Sequence, residues 1–128
     1  MLNLKKSDME RQILFKAKQL NTGKWFEGDL VHIGNRVCIG GDYIKDGITD
    51  VDPTTVCQYT GLKDENGVEL YEGDYIKILD EVRLIEYNPV ACGFILQETP
   101  TRSMRSLDVL AHYAFEVVGN KYDKEESK

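Results

Sequence analysis

The sequence predicts a mainly β protein, and three observations support this fold class. Apolar and polar residues alternate with a period of two in several short runs, which is typical of strands with one buried face. Turn-forming Gly, Asn and Asp residues separate these runs. Only residues 107–111, which follow the N-cap candidate Ser106, place apolar side chains on one helical face. We therefore expect one short helix, near the C-terminus.

The strands of the first third are short. Ile13, Phe15 and Ala17 alternate with Lys16 and Lys18, so one face of this run is expected to be buried. Further strands are predicted, in order, at residues 24–26, 30–33 and 36–39, with turns at residues 21–23, 27–29 and 34–35.

A Gly- and Asp-rich stretch, residues 40–53, predicts a boundary between two halves of the chain. In the second half, Asn66-Gly67 predicts a type I′ hairpin turn, because both residues tolerate positive φ. Residues 99–106 lack apolar periodicity and are predicted to form a mobile surface loop. The other strands are predicted at residues 56–59, 70–71, 75–79, 82–87, 93–97 and 115–118.

Two segments with a spacing of 45 residues resemble each other, residues 23–31 and residues 68–76. Each contains an aromatic residue, then Glu-Gly-Asp, then two apolar residues. We interpret the Gly as supplying a conformation forbidden to other residues, and the Asp as accepting backbone N–H bonds across a bend. Two copies suggest two related small β units. The structural turn residues are therefore predicted to be Gly28, Asp29, Asn66, Gly67, Gly73 and Asp74.

Residues 51–78 carry a run of motifs in a fixed order. They contain Gln-Tyr-Thr-Gly-Leu-Lys-Asp, an Asn-Gly turn and Tyr-Glu-Gly-Asp, and this order resembles the signature of YopX-like proteins. Residues 116–122 resemble the closing motif of that family, and residues 10–17 resemble its opening strand. The resemblance implies a small β-rich fold of SH3-like barrel type, carried mainly by phages and prophages, and it implies no activity.

Together, the repeat and the resemblance predict a domain organisation. SH3-like barrel units are expected, two in tandem. The predicted divisions are an N-terminal extension (residues 1–10), a first β unit (11–50), a YopX-like C-terminal β unit (51–120) and a tail (121–128).

Charge and composition exclude several function classes. The 128 residues carry a net charge of −6, which argues against general binding to phosphate backbones. Residues 1–36 nevertheless have a net charge of +3, against −9 for residues 37–128, so the two ends could attract each other. No run approaches the length of a membrane span, and residues 1–10 lack the apolar region of a signal peptide. The expectation is a cytoplasmic protein with no membrane contact.

Residues with reactive or metal-binding side chains form no recognisable site. Cys38, Cys57 and Cys92 are widely spaced, so we expect three reduced thiols rather than a disulfide framework or a zinc site. His32 and His112 have no Cys or His at ligand spacing. No cofactor, metal site or catalytic residue is predicted. Solvated carboxylates are the expected state of the acidic residues between Asp42 and Asp52, and cation binding there is left open.

The aromatic residues near the repeated turns are the candidates for binding. Small barrels often present such rings in a shallow groove, so Trp25, Tyr59 and Tyr71 are the hypothetical binding residues. The function hypothesis is a non-enzymatic, phage- or prophage-derived binding module that contacts a host or phage protein. A homo-oligomer is also plausible, because small β units with exposed edges gain stability by pairing.

Two alternatives belong to other function classes. The first is a single-stranded nucleic-acid accessory protein in which bases stack on Trp25 or Tyr71. Its backbone contacts are expected from Lys16, Lys18, Lys24, Arg102 and Arg105. The second is a cryptic hydrolase that uses paired carboxylates as acid and base. Its candidate residues are Glu27, Asp29, Glu72 and Asp74.

Overall fold

The chain folds mainly into short antiparallel strands. The computed structural model describes residues 12–123; the predicted extension and most of the predicted tail lie outside this range. The strands are β1 (Phe15–Lys18), β2 (Trp25–Ile33), β3 (Arg36–Gly40), β4 (Ile48–Asp50), β5 (Cys57–Lys63), β6 (Glu69–Tyr71), β7 (Asp74–Ile78), β8 (Glu81–Asn88), β9 (Gly93–Leu96), β10 (Arg105–Ser106) and β11 (Phe115–Asn120). Short 3-10 helices lie at Lys45–Gly47, Pro53–Thr55 and Leu107–Ala111.

The prediction of a mainly β fold is confirmed. No closed barrel is found within residues 12–123; the strands form two antiparallel sheets. The short helix near the C-terminus is a 3-10 helix, and the Ser106 hydroxyl accepts the N–H of Asp108 at its start. Leu110 is its buried residue.

The chain divides into two compact units between Gly61 and Leu62. The predicted boundary lies after residue 50, within the Gly- and Asp-rich stretch. The structure divides later because residues 51–61 belong to the first unit. Val51 is buried with Ala17 and Ile39, and Cys57 pairs with Lys16.

In the first unit the strand order is β4-β3-β2-β1-β5. Ala17, Ile39, Ile44 and Val51 form the buried core, which follows the predicted alternation in β1. Ile13 precedes β1 and is 54 % exposed, so it does not share the buried face predicted for it.

Strand β2 changes its pairing partner at Gly28. Residues 25–28 pair with β1, and residues 29–33 pair with β3. A Cβ atom on Gly28 would lie 2.1 Å from the carbonyl oxygen of Gly40, so only glycine lets the two strands approach this closely. The prediction that Gly28 and Asp29 form a turn is therefore wrong, because both lie inside a continuous strand.

Strand β5 spans the division at Gly61, and β6 of the second unit pairs with it; the other strands of the second unit follow the order β10-β9-β8-β7-β11. Strand β7 alternates as predicted: Ile76 and Ile78 are buried, whereas Tyr75 and Lys77 are exposed. The core of this unit consists of Leu70, Ile76, Ile78, Ile85, Leu96, Leu110 and Phe115. Gly73 has φ +88 in the turn between β6 and β7, so the predicted turn is present at this second copy.

The hairpins β2–β3 and β7–β8 have matching registers. Leu30 pairs with Ile39, and Ile33 pairs with Arg36. Adding 45 to each number gives Tyr75 paired with Leu84 and Ile78 paired with Glu81, which are the observed pairs of β7–β8. The spacing found in the sequence therefore continues through both hairpin turns.

Asn66 and Gly67 form a turn, but not of the predicted type. Of the two, only Gly67 has a positive φ, at +81. The carbonyl of Asp64 accepts the N–H of Gly67, and the N–H of Asp64 bonds to the carbonyl of Val68. This pattern fits a type I turn closed by a left-handed glycine rather than a type I′ turn. The Asp64 side chain favours it by accepting the N–H of Asn66.

Residues 99–106, predicted to form a mobile surface loop, make hydrogen bonds at several positions. Thr99 and Arg102 exchange two backbone hydrogen bonds, and Arg105 pairs with Leu96 as part of β10. The buried Arg83 donates from Nε to the carbonyl of Gln97 and from an Nη atom to the carbonyl of Ser103. Sequence patterns do not indicate this contact, because Arg83 is distant from the loop along the chain.

Replacing Gly28 with Ala should destabilise the protein strongly, because the new methyl group overlaps backbone and β2 must move away from β3. We expect a loss of at least about 2 kcal/mol in the free energy of unfolding, measured by urea denaturation. The control is Gly93→Ala, where the nearest atom to a Cβ lies 3.9 Å away and little change is expected. Equal stability of the two variants would contradict the close approach at Gly28.

Candidate functional site

Trp25 lies on the outer face of the hairpin β1–β2. Its cross-strand partner is Lys18, whereas the next pair, Ala17 and Phe26, faces the core. The ammonium nitrogen of Lys16 lies 4.6 Å from the centre of the Trp25 ring, and that of Lys18 lies 5.4 Å from it. Both distances suit cation–π contacts. We call Lys16, Lys18 and Trp25 the Trp25 platform.

A shallow groove of about 410 Å³ borders this platform and is completed by Phe26, Glu27 and Tyr43. The Tyr43 ring stacks on Phe26 with centroids 6.2 Å apart. Its hydroxyl accepts the N–H of Glu27 and donates to the carbonyl of the same residue. Tyr43 thus satisfies backbone groups on the edge of β2 that β3 does not reach, and its own ring is 62 % exposed.

The other two predicted binding residues are buried. Tyr59 is 5 % exposed and Tyr71 is 2 % exposed. Tyr59 falls on the inward side of the alternating strand β5, and Tyr71 ends β6. Period two correctly predicted that some rings face inward but did not indicate which ones. Of the three predicted residues, only Trp25 therefore offers an accessible ring.

The carboxylates of the Glu-Gly-Asp repeats have different environments. Glu27 and Asp29 are exposed along β2, whereas Asp74 is 1 % exposed. One Asp74 oxygen accepts the N–H of Tyr71 at 2.8 Å, and the other accepts from the side-chain amide of Asn120 at 2.9 Å. Asp74 accepts a backbone N–H across the bend, as the sequence predicted.

The Asn120 side chain extends this network. Its carbonyl oxygen accepts the N–H of Tyr122, and the backbone N–H of Asn120 bonds to the carboxylate of Asp123. The N–H of Lys121 bonds to the carbonyl of Gly73. The Tyr-Glu-Gly-Asp motif and the closing Gly-Asn-Lys-Tyr motif are therefore held together directly.

Asp64 performs a similar role at the hairpin β5–β6. It is 6 % exposed; one oxygen accepts the N–H groups of Asn66 and Val68, and the other accepts the N–H of Val117 in β11. Burial by itself raises the pKa of this carboxyl, but the three N–H bonds together outweigh burial and hold the pKa of Asp64 below its ordinary value.

The acidic stretch from Asp42 to Asp52 contains carboxylates with protein partners. Arg36 donates to Asp50 and lowers the pKa of that carboxyl, and Thr54 donates to Asp52 with the same effect. Within residues 12–123 no group of His, Cys, Asp and Glu side chains is arranged to hold a metal ion.

The three cysteines are free thiols. Cys38 and Cys57 are buried, and Cys92 is exposed. Burial is the main cause that raises the pKa of Cys38, and its hydrogen bond to Asp50 acts in the same direction, which lowers its reactivity. His32 and His112 are exposed, at the end of β2 and after the 3-10 helix.

Comparison of the sequence with models of protein families assigns the chain to a family. The family model described as YopX protein matches residues 8–126. The chain belongs to the YopX protein family. The match covers nearly the whole sequence, so the resemblance found in the motifs is confirmed. A search of curated proteins gives no match. Within the described residues, no helix is long and apolar enough to span a membrane.

The position of the family motifs in the structure explains what they do. Asp64, Gly73, Asp74 and Asn120 lie in the motifs that mark this chain as a YopX protein, and each takes part in a bond that closes the second unit. These motif positions therefore stabilise the fold.

A second depression lies in the second unit, where no binding residue was predicted. This depression, the Leu79 cleft, has a volume of about 440 Å³; Leu79, Leu96 and Val109 supply apolar walls, and Arg105 and Tyr113 supply polar groups. Glu81, on the same wall, pairs with Arg83 at 3.3 Å and with Arg102 at 2.7 Å.

Leu79 has an unusual backbone conformation. It occupies the first position of the two-residue turn between β7 and β8, with φ +57. Gly34 occupies the equivalent position between β2 and β3, with φ +58. Glycine is the usual residue there, because a side chain in the left-handed region costs about 1–2 kcal/mol. Leu79 is also 65 % exposed, so its side chain gains little from burial.

Replacing Asp64 with Asn should lower the free energy of unfolding at pH 7 by about 1–3 kcal/mol, because the amide nitrogen cannot accept an N–H. The folded pKa of Asp64 lies below the unfolded value of about 3.9, so its contribution is present above that pH and is lost as pH falls through the folded pKa. The difference between the two proteins should therefore shrink below about pH 4. Thermal unfolding of both proteins, followed from about pH 7 to below pH 4, measures this difference in stability. Glu65→Gln, an exposed neighbour, is the control and should change little at either pH.

Leu79→Gly should stabilise the protein by about 0.5–1 kcal/mol, since relief of the left-handed strain exceeds the extra chain entropy of glycine. The reciprocal variant, Gly34→Leu, should destabilise it by at least about 1 kcal/mol, although nothing lies within 4 Å of a Cβ at that position. Chemical denaturation of both variants measures the pair. A loss of stability in Leu79→Gly would show that the Leu79 side chain is needed for packing.

Proposed function

We propose that this YopX protein is a non-enzymatic binding module that acts by contact with another protein. Phage or prophage origin is a part of this proposal that rests on the family resemblance, and a place in the cytoplasm of the bacterial host is a part that rests on the hydropathy pattern of the sequence. The observation that carries the binding role is the Trp25 platform, in which two lysines hold a half-buried indole ring on the outer face of β1–β2.

The platform has the properties of a binding surface in protein interfaces. Trp is enriched among the residues that contribute most to binding, because its ring covers a large area at low cost in side-chain entropy. Lys16 and Lys18 are half-buried against the ring, so the geometry exists before a partner arrives. Preorganisation of this kind reduces the free-energy cost of association.

The charge of the platform supports a partner segment with acidic side chains. Residues 12–36 carry four basic side chains against two acidic ones, within a chain of net charge −6, and two of these basic side chains, Lys16 and Lys18, lie at the indole ring. Acidic side chains of a partner can pair with the ammonium groups while its apolar atoms cover the indole. Complementary charge gives orientation, and the ring gives most of the contact area.

The two units are further proposed to be a tandem duplication of one SH3-like unit. Support comes from the matched registers of β2–β3 and β7–β8 at a spacing of 45 residues. Self-association through strand edges stays a prediction, and sedimentation equilibrium is the measurement that tests it.

Single-stranded nucleic-acid binding is the second candidate, and the cluster of ammonium groups around an aromatic ring favours it. However, an ammonium lies over the ring that a base would stack on, and stacking would have to displace it. Tyr71, the other predicted stacking residue, is buried, and Arg102 is paired with Glu81. Protein contact is therefore the better-supported proposal.

The hydrolase alternative has the least support. Asp74, one of its proposed carboxylates, is buried and accepts bonds from Tyr71 and Asn120. Both Asp74 oxygens are therefore occupied by hydrogen bonds to the β6–β7 turn and to β11.

The single tryptophan of the chain makes a direct test available, because all indole fluorescence comes from Trp25. We expect short peptides that alternate Glu with Phe to change this fluorescence saturably at about 0.15 M salt, and peptides that alternate Gln with Phe to bind at least about tenfold more weakly. In calorimetry, Trp25→Ala should weaken the binding free energy of the acidic peptide by about 2 kcal/mol, and the control Tyr87→Ala should leave it unchanged.

The nucleic-acid alternative predicts a different result in the same assay. Oligothymidine would quench Trp25, and its affinity would fall steeply between about 50 and 200 mM salt. That result, together with no response to the acidic peptides, would contradict the proposed function and support the alternative.

A further inference from the structure

We propose that the Leu79 cleft is a second binding site, which takes a carboxylate side chain and a neighbouring large apolar side chain from a segment of another protein. This site lies in the second unit and uses none of the residues of the Trp25 platform. It shares with the proposed function the expectation of a protein partner that presents acidic and apolar side chains, and the variants below distinguish the two sites.

The dimensions and lining of the cleft suit such a segment. Its volume of about 440 Å³ lies within the range of ligand sites and holds one or two side chains. Leu79, Leu96 and Val109 form apolar walls, and a small number of polar groups stand beside them. This combination binds an apolar group and fixes the orientation of a polar one.

The polar groups select a negative charge. Three arginines and one glutamate line the cleft, although residues 62–128 carry only eight basic side chains against fourteen acidic ones. Glu81 already pairs with Arg83 and Arg102. The side chain of Arg105 has no hydrogen-bond or ion-pair partner within residues 12–123. Its guanidinium is therefore available for a carboxylate, which it can bind through two parallel N–H bonds.

Tyr113 adds a second donor. Tyr113 is 47 % exposed and lines the cleft, and its hydroxyl has no hydrogen-bond partner among the described residues. The hydroxyl can donate to the same carboxylate or to a backbone carbonyl of the bound segment, while the ring adds apolar contact area.

The arginine framework holds these groups in place. Arg83 is 5 % exposed and donates to the carbonyls of Gln97 and Ser103, so the loop that carries Arg102 and Arg105 is tied to β8. A preorganised loop lets Arg105 bind without a large ordering cost.

Leu79 supplies the strongest argument that the cleft has a use. The fold itself would be served better by glycine at this position, as it is at Gly34 in the equivalent turn. Residues with strained backbones cluster at functional sites, so this one points to a role for the Leu79 side chain outside the fold. Here the strain places a mostly exposed leucine at the cleft, where a partner's apolar side chain can cover it.

A peptide is a better match than a nucleic acid. Nucleic-acid backbones present repeated phosphates joined by polar sugars and no large aliphatic side chain, whereas the cleft offers one unpartnered guanidinium beside aliphatic walls. The single charge and the apolar lining together match one acidic residue that lies next to Leu, Ile, Phe or Met.

The test is a selection of random heptapeptides displayed on particles, with the immobilised full-length chain as target at about 0.15 M salt. Recovered peptides are synthesised, and calorimetry gives their Kd for the wild type and for four variants. Leu79→Gly and Arg105→Gln alter the cleft, Trp25→Ala alters the platform, and Val90→Ala is the control for an exposed apolar residue elsewhere in the second unit.

We expect a group of peptides with Asp or Glu within two positions of a large apolar residue. Their Kd should rise at least about tenfold in Leu79→Gly and in Arg105→Gln, and change less than about twofold in the other two variants. The melting temperature of each variant is measured in parallel. A higher Kd then counts as loss of a binding contact only when the variant is folded at the temperature of the binding experiment.

Several outcomes would overturn the proposal. These are the recovery of no peptide, peptides without a carboxylate, and peptides whose Kd is unchanged in both cleft variants. Peptides whose Kd changes only in Trp25→Ala would overturn the cleft and support the platform. Peptides whose Kd changes only in Leu79→Gly and Arg105→Gln would support the cleft and not the platform. A wild-type dimer that Leu79→Gly dissociates would assign the cleft to a second copy of the chain and overturn a foreign partner.

Discussion

The second unit depends on two buried carboxylates that accept backbone and side-chain N–H groups from distant parts of the chain. Asp64 joins the hairpin β5–β6 to Val117 of β11, and Asp74 joins the end of β6 to Asn120 at the end of β11. A carboxylate that loses such donors while buried leaves an unpaired charge, which is costly. The last strand is therefore held at both ends by residues that precede it by dozens of positions.

This arrangement gives the YopX motifs a physical meaning. The Asp that ends Gln-Tyr-Thr-Gly-Leu-Lys-Asp, the Asp of Tyr-Glu-Gly-Asp and the Asn of the closing motif are the residues that make these bonds. The motifs mark the fold, and binding surfaces have to be sought elsewhere. Trp25 and Leu79 both lie on or beside hairpins, at positions where the side chain does little for the core of its unit.

Much of the fold could be predicted from the sequence, because strand alternation and turn residues are local properties. The buried positions of β7 follow period two, and Asn66-Gly67 does form a turn. The Asn-Gly pair alone predicts the wrong type of turn, because Asp64 at the first position accepts the N–H of Asn66 and favours a type I turn. Composition predicts a bend at Gly28, whereas the structure has Gly28 inside β2. The close approach of the Gly40 backbone explains why the residue there is glycine.

The candidate sites were harder to predict, because they depend on contacts between distant residues. Trp25 was identified as an aromatic near a turn, but the same criterion also selected Tyr59 and Tyr71, which are buried. Nothing local indicates that Arg83 fastens residues 97–103 or that Leu79 has a positive φ. Comparison of the two copies would have helped: position 79 corresponds to Gly34 at the spacing of 45, and a leucine there is a departure that the sequence itself contains.

Native-state hydrogen exchange of the full-length protein tests most directly whether the two carboxylates hold the second unit together. The amides of Val117 and Tyr71, which donate to Asp64 and Asp74, should exchange only through global unfolding. Their opening free energies should therefore equal those of the central strands β7 and β8. Exchange of these two amides at the rate of exposed turns, with β7 and β8 still protected, would contradict the account.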